Sequence, residues 1–252
     1  MQTRKGTVEN VVQIGEVTFL IKVEIPEIAR EIAPGQFCNI KVSETNFPLL
    51  RRPFSISNVK GNSIEFMIDV IGEGTKILAT KKPGDALDIL GPLGRGFDTS
   101  GDYKTAILVA GGIGLAPFPF LINSFPEDKN VKLFYGARSK KHIIDYNYKN
   151  KFICTDDGSA GFHGNVVDYL NSSMDELKGD SIKFFACGPT PMLAALKRFC
   201  QANSFDCEVS TESAMACGFG ICQGCPIETT EQGYYKLICK DGPVFNISEI
   251  EL

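Results

Sequence analysis

The 252-residue chain lacks any long basic block and carries a mild formal net charge of -4. Binding to nucleic acid through counterion release therefore has little to work with. A secretory core is missing too: Met1-Gln2-Thr3-Arg4-Lys5 leads into a polar, strand-like stretch. With no such leader, nine cysteines are not expected to form a secreted disulfide scaffold, and the expected compartment is the reducing cytoplasm. Histidine is scarce, and His142 and His163 stand apart. A lone histidine is usually a surface or loop residue, not a general base. Internal repeats and low-complexity segments are absent as well. One charge-free stretch, Thr105 to Pro126, is long enough to be mistaken for a membrane span. Gly111, Gly112, Gly114, Pro117 and Pro119 argue against that reading. An apolar parallel strand entering a glycine turn and a buried helix accounts for it better.

What is present, 43% hydrophobic residues over this length, is enough for two compact domains and a small appendage. Up to about residue 97 the pattern is of short alternating strands separated by Gly, Pro and Asn turns: Thr7 to Gln13, Thr18 to Val23, Phe37 to Val42, Ser63 to Asp69 and Ala86 to Leu90. A small antiparallel β-barrel follows from that pattern. Beyond it, Ala106 to Ala110, Val131 to Tyr135, Phe152 to Thr155 and Ile182 to Ala186 are apolar runs with helix-like stretches such as Val166 to Leu170 between some of them. That alternation predicts a parallel α/β sheet. Thr190 and Pro191 read as N-cap and first-turn residue of a helix on which Met192, Leu193, Leu196 and Phe199 recur. The expected division is 1–100, 101–208 and 209–252, with the first boundary near Tyr103. The last segment has too few apolar residues for a core of its own.

Cys217, Cys222, Cys225 and Cys239 form C-x4-C-x2-C-x13-C, with Gly218, Gly220 and Gly224 between and beside the first three. This is the plant-type [2Fe–2S] spacing, in which a tight loop must wrap the irons and aim backbone amides at the sulfurs. A structural zinc site also uses four thiolates, but it ordinarily pairs two C-x2-C knuckles, and only Cys222 and Cys225 are so spaced. Cys38, Cys154, Cys200 and Cys207 show no ligand spacing and read as core or surface thiols.

Arg51-Arg52-Pro53-Phe54-Ser55-Ile56-Ser57 places cations, a ring and hydroxyls within a few residues on a strand edge. Such a set can hold a phosphate and stack on a flat cofactor, although a basic strand end and a packing phenylalanine would look the same. Gly72-Glu73-Gly74-Thr75 adds a glycine turn that opens a helix, a place for a pyrophosphate. Gly111, Gly112 and Gly114 follow an apolar strand and let the backbone approach a second pyrophosphate, the alternative being a plain βα turn.

On these residues the chain resembles the ferredoxin reductase family of flavoproteins. The segments concerned are Arg52-Pro53-Phe54-Ser55, Gly72 to Thr75, Gly91 to Phe97, Gly111 to Pro117 and Cys187-Gly188-Pro189-Thr190-Pro191-Met192. The resemblance implies FAD on the barrel, held by Arg52, Pro53, Phe54, Ser55, Met67, Ile68, Asp69, Gly74 and Thr75. Asp69 stands where many relatives carry a basic residue. It further implies a nicotinamide dinucleotide on the α/β domain at Gly111, Gly112, Gly114, Gly188 and Pro189, with Cys187 near the reaction centre or else a small buried hydrophobe. Two acids after the third strand of that domain, Asp156 and Asp157, favour NAD over NADP, while Arg138, Lys140 and Lys141 could still receive a phosphate.

The tail narrows the resemblance to the electron-transfer subunits of class 1B, NAD-dependent, dihydroorotate dehydrogenases, through Glu212 to Cys225 and Cys239 to Phe245. Oxygenase reductases place the fourth cysteine much farther along, and small subunits of bifurcating transhydrogenases typically carry aspartate at the position of Cys217. The implied function is a relay in pyrimidine (UMP) biosynthesis. Electrons from a separate FMN-containing catalytic subunit would pass through the [2Fe–2S] cluster and FAD to NAD+. Eight repeated βα units are not found, so dihydroorotate itself would be oxidised elsewhere, in an expected assembly of two such chains with two catalytic subunits. A relay subunit of a hydrogenase or transhydrogenase and a zinc-stapled interaction module are the other readings.

Overall fold

The computed structural model describes residues 2–146, 148–174 and 181–252. Six antiparallel strands open the chain: β1 (Gln2–Gln13), β2 (Thr18–Glu24), β3 (Phe37–Lys41), β4 (Arg52–Lys60), β5 (Ser63–Asp69) and β6 (Ala86–Leu93). They close in the order β1-β2-β5-β4-β3-β6, and β1 pairs with β6 to complete the barrel. Closure leaves no strand edge open to another chain. Alternating side chains fill the interior: Ile21 and Val23 of β2, Ile40 of β3, Ile56 of β4, Ile64 and Phe66 of β5 and Ile89 of β6 are all fully buried. Burying one such side chain contributes about 2 kcal/mol. The antiparallel barrel expected from the alternation is therefore present, although β1 starts earlier than Thr7 and β6 runs on past Leu90. Two short helices decorate it, α1 (Pro26–Ala29) and α2 (Glu73–Ala79).

The second half forms a seven-stranded sheet. Its strands are β7 (Thr105–Gly111), β8 (Asn130–Ala137), β9 (Lys151–Thr155), β10 (Phe162–His163), β11 (Ile182–Cys187) and β12 (Asp206–Ser210), with β15 (Val244–Asn246) from the tail. The order is β10-β9-β8-β7-β11-β12-β15, parallel except where β15 runs antiparallel to β12. Successive strands grow outward from β7 in one direction as far as β10, then restart on its other side with β11. The carboxyl ends of β7 and β11 therefore splay their following loops apart, which is where ligands bind in open α/β sheets. Helices α3 (Phe118–Ser124), α4 (Val166–Ser172) and α5 (Thr190–Asn203) cover the faces. Buried Leu193, Leu196, Phe199 and Cys200 mark the inward side of α5, in keeping with the expected spacing.

The expected cap of α5 is corrected by one residue. Pro189 is the N-cap and its carbonyl accepts from Leu193 N–H at 3.1 Å, so Thr190 already stands in the first turn. Pro191 is tolerated there because first-turn amides need no intrahelical acceptor.

Barrel and sheet share one core, in which Met67 of the barrel packs with Leu108, Leu115, Phe118 and Phe185 of the sheet domain. The tail adds a two-stranded hairpin, β13 (Pro226–Glu228) and β14 (Tyr235–Leu237), and helix α6 (Ile238–Asp241). It is tied to both halves: β15 extends the sheet, and Arg95 N–H donates to the Gly242 carbonyl at 2.5 Å. Among the described residues no helix is long and apolar enough to cross a membrane. Cys38, Cys154, Cys200 and Cys207 are all buried in the cores, as their lack of ligand spacing led one to expect.

Candidate functional site

Two clefts open at the switch point between β7 and β11. The larger has a volume of about 1040 Å³, and its walls include Gly111, Gly112, Gly114, Asp156, Gly188 and Pro189. Each of the six residues expected to meet a nicotinamide dinucleotide thus lines one space. Two of the glycines act in opposite ways. At Gly114 a Cβ would stand 2.2 Å from the Cys187 carbonyl oxygen, so only glycine lets the 3₁₀ turn at Gly112–Leu115 pack on the end of β11. At Gly112 (φ 54°) nothing lies within 4 Å, which leaves open backbone facing the cleft. An uncovered amide turn at a strand end suits a pyrophosphate.

Across the cleft, Asp156 is free to face a ligand, whereas Asp157 is spent on its own turn: its Oδ1 accepts from Ser159 N–H at 3.0 Å and Ser159 Oγ at 2.6 Å. Those bonds hold the Asp157 carboxyl below the usual carboxylate range. Arg138, Lys141 and His142 share the same wall, and Glu16 of the β1–β2 turn approaches Lys141 and His142 at 4.0 Å each.

The smaller cleft, about 230 Å³, lies between barrel and sheet. Pro53, Phe54 and Ser55 of β4, Met67, Ile68 and Asp69 of β5 and Thr75 of α2 form its barrel side. Phe54 is propped edge-to-face against Phe66, with centroids 6.4 Å apart, and Met67 N–H donates to Ser57 Oγ at 2.9 Å. Arg52 and Gly74 stand beside this wall and meet each other, since a Cβ on Gly74 would be 3.3 Å from Arg52 Nε. Arg51 is otherwise engaged, in a 2.9 Å ion pair with Asp88. The Thr75 hydroxyl accepts from Ile71 and Gly72 N–H, both at 3.1 Å, and so fixes the turn that opens α2. Asp69 Oδ1 accepts from Thr18 Oγ1 at 2.6 Å. Arg52 and Gly74 do not line the slot itself, but a mostly apolar slot with Thr75 at a helix start on its rim and a cation just outside fits a flavin nucleotide.

The clefts are lobes of one opening, for Asp69, Ile71, Ile113, Thr211, Glu212 and Ser213 line both. Of these, only Asp69 is a site residue expected from the sequence; Ile71, Ile113, Thr211, Glu212 and Ser213 are not, and the last three form one run. Their signal was position: they directly follow β12, the neighbour of β11 at the switch point. Burial in the cleft raises the Glu212 carboxyl above its ordinary value, and nearby Asp69 adds to the shift. The side chain still meets solvent through the open mouth, so the cause is the surrounding wall and not enclosure. Cys187 is buried beneath Gly114 and lines neither cleft; burial pushes its thiol up, with Glu212 contributing.

The four spaced cysteines converge as two pairs. The Cys222 thiol helps to lower that of Cys217, and the Cys225 thiol raises that of Cys239, so the members of each pair lie close enough to act on one another. Backbone amides aim at three of the sulfurs: Phe219 N–H at Cys217 Sγ (3.5 Å), Gly224 N–H at Cys222 Sγ (3.5 Å) and Cys239 N–H at Cys225 Sγ (3.4 Å). Desolvation raises the Cys217 thiol, but the Cys222 and Phe219 amides, the Cys222 thiol and the Ile221 amide outweigh it and hold it at about 6. Burial and the adjoining Cys225 push Cys239 up to about 12. Among the described residues no three His, Cys, Asp or Glu side chains gather as ligands of a single ion. Two cysteine pairs with amide donors on three of the four sulfurs fit a two-iron cluster, which takes two protein ligands per iron.

An apolar slot on a barrel, opening into a larger cleft at the switch point of a parallel sheet, defines a reductase of the ferredoxin reductase fold. Solved structures agree. An NADH-dependent reduced ferredoxin-NADP oxidoreductase, solved for insight into flavin-based electron bifurcation, superposes with a TM-score of 0.87 over 98% of this chain and 89% of that one at 28% identity. A ferredoxin NADP+ reductase from Neisseria gonorrhoeae with bound FAD and NADP reaches 0.66 over 80% of this chain and 92% of that one, at 18% identity, and shows the fold alone. Residues 212–251 match the model of the iron-sulfur cluster binding domain of dihydroorotate dehydrogenase B. Over 239 residues, 90% of each chain, this protein is 38% identical to the dihydroorotate dehydrogenase B (NAD(+)) electron transfer subunit of Desulforamulus reducens. It is 41% identical over 236 residues, 86% of each chain, to that of Bacillus pumilus. The chain belongs to the family of dihydroorotate dehydrogenase B (NAD(+)) electron transfer subunits.

Proposed function

We propose that this protein is the electron-transfer subunit of a cytoplasmic, NAD-dependent dihydroorotate dehydrogenase, serving pyrimidine (UMP) synthesis beside an FMN-containing catalytic subunit in a two-plus-two assembly. Bound FAD exchanges electron pairs with nicotinamide and single electrons with an iron-sulfur centre, which is the conversion such a relay requires. Residues 1–100 hold the flavin: Arg52 and Gly74 take its phosphates, Phe54 and Pro53 flank the ring system, and Ser55, Thr75, Asp69 and the backbone of Met67 and Ile68 orient its polar rim. Residues 101–208 hold NAD. Gly111, Gly112, Gly114, Gly188 and Pro189 receive its pyrophosphate and nicotinamide, while Asp156 binds the ribose and repels a 2′-phosphate. Cys187 supports the floor of that site from below. Residues 209–252 hold the cluster on Cys217, Cys222, Cys225 and Cys239.

The observation that carries this reading is the shared wall of the two clefts, Asp69, Ile71, Ile113, Thr211, Glu212 and Ser213, which leads in sequence directly into the cysteine loop. Hydride exchange between two bound rings needs contact, and a common opening between barrel and sheet would bring them together. A transhydrogenase relay is the second reading, favoured by the 0.87 structural match; relatives at 36–41% identity with the dihydroorotate name favour the first.

The test is the visible spectrum of protein purified without oxygen, with iron and flavin quantified, before and after NADH. One flavin and about two irons per chain, as a [2Fe–2S] centre implies, with bleaching by NADH, are expected. In a separate oxidised sample, adding the co-purified catalytic subunit and dihydroorotate should reduce both groups, and supplying NAD+ should then yield NADH. A colourless, zinc-containing protein would overturn the relay, and a coloured one that no dihydroorotate-oxidising partner reduces would move it to the transhydrogenase class.

A further inference from the structure

Asn39 occupies the centre of β3, where its backbone pairs with Pro53 of β4 on one side and Leu90 of β6 on the other. Pro53 is part of the wall of the smaller cleft. The other buried positions of this strand are apolar, Phe37, Cys38 and Ile40, yet here an amide is only 1% exposed. Its carboxamide reaches out of the barrel to the cysteine loop, with Nδ2 donating to the Cys217 carbonyl at 3.3 Å. The next residue, Gly218, adopts φ 82°, and a Cβ on it would stand 1.9 Å from Asn39 Nδ2. No side chain other than hydrogen is compatible with that approach. Leu93 of β6 touches the same point, at 3.4 Å from the hypothetical Cβ.

Asn39 Oδ1, by contrast, is buried with no partner among the described residues. A buried, half-satisfied amide costs stability that an apolar side chain of the same shape would not. Packing therefore does not explain asparagine at this position, whereas a grip on the loop does. From 211 to 225 the loop forms no helix or strand that could hold it at a fixed distance from the barrel.

We infer that Asn39 is a positioning residue for the electron step between flavin and cluster: its carboxamide clamps the Cys217–Gly218 peptide to the strand beside the flavin wall. This rests on the proposed function. Electron exchange weakens steeply with separation, so the spacing between Pro53 and Cys217 has to be held, and Asn39 spans it with one side chain. The clamp also sets the turn in which Phe219 N–H meets Cys217 Sγ, and hydrogen bonds to cluster sulfurs tune the potential.

The test compares the parent full chain, carrying flavin and iron, with Asn39→Leu, which keeps the branched outline at a larger volume and removes the hydrogen bond. Stopped-flow absorbance separates flavin bleaching by NADH from the later reduction of the cluster, and electron paramagnetic resonance with a redox titration reads the cluster itself. The expected result is flavin bleaching within twofold of the parent, cluster reduction slowed at least tenfold, and a changed resonance spectrum and midpoint potential. Unchanged cluster kinetics and spectrum would overturn the inference. So would equal slowing of both steps with an unaltered spectrum, since that marks general packing. If Asn39→Leu does not fold, Asn39→Ser, smaller and still polar, decides by the same readings. A parent without flavin or iron would fail before any variant is compared, which removes the underlying reading and the inference with it.

Discussion

In the nucleotide cleft the walls are strand ends and a tight 3₁₀ turn, held by the packing of Gly114 on β11. The cysteine loop has no such frame: three of the four spaced cysteines lie in a stretch from 211 to 225 without helix or strand. What shapes the first is the sheet, which buries apolar side chains on both faces whether or not a ligand is bound. The second is shaped by thiol pairs, amides turned toward sulfur and the contact with Asn39. The difference teaches where ligand and fold depend on each other. A cleft made by the fold outlasts the loss of its ligand, while a loop made by its ligands does not.

The sharpest way to break this comparison is Cys225→Ser, which removes a buried thiol of the proposed cluster set. Iron content should fall to near zero, and hydrogen exchange should rise across 211–225 while the protection of β7 and β11 stays as in the parent. Loss of protection in the sheet as well would mean that the two regions are not independent. On the other side, Gly114→Ala forces a methyl group to 2.2 Å from the Cys187 carbonyl. A stability loss of about 3 kcal/mol is expected in denaturant unfolding, with a raised KM for NADH and full iron content. Asp156→Ala should raise the NADPH-to-NADH preference about tenfold, about 1.4 kcal/mol, read as the ratio of kcat/KM values. Loss of the α4 cap in Asn165→Ala, where Oδ1 accepts from Val167 and Asp168 N–H at 3.0 Å each, should cost about 1 kcal/mol. A thermal melt would show it, with cluster spectra unaffected.

The smallest effect is on pH dependence. The Glu212 carboxyl is raised in the folded protein, so between its ordinary value of 4.5 and its folded value the native state holds a proton that the unfolded chain has released. Stability at this site therefore declines as pH rises through that window and levels off above it. In Glu212→Gln melting temperatures recorded from pH 4 upward should lack that decline. A parent and variant with parallel profiles would show that the shared wall leaves Glu212 as solvated as any surface carboxylate.

Legibility followed the range of the signal. The barrel was visible because every second side chain of a strand, such as Phe19, Ile21 and Val23 of β2, points to the same core, a local consequence of strand geometry. Six residues expected at the nucleotide, Gly111 through Pro189, do line one cleft because strand ends followed by glycine turns are local as well. Glu212 and Thr211 escaped notice as site residues since nothing in their neighbours says that β12 lies next to β11. The short strand Val244–Asn246 was equally silent, because three residues carry no periodicity and its partner lies far back in the chain. Thr190 misled by one position, as it is a good cap residue beside a proline that the tertiary turn uses first.

By itself the sequence determined the chemistry on offer: which residues could be ligands, where the chain must turn, and which strands hide one face. Four thiols in C-x4-C-x2-C-x13-C commit the tail to iron-sulfur or zinc before any folding is considered, because spacing limits how a short loop can wrap a metal. Only the tertiary structure decided the partnerships. It set the thiols as Cys217 with Cys222 and Cys225 with Cys239, merged two clefts at Glu212, and pressed Asn39 onto the peptide of Cys217. Those contacts join residues distant in the chain, and their geometry comes from how a closed barrel and an open sheet share one core, which no local pattern encodes.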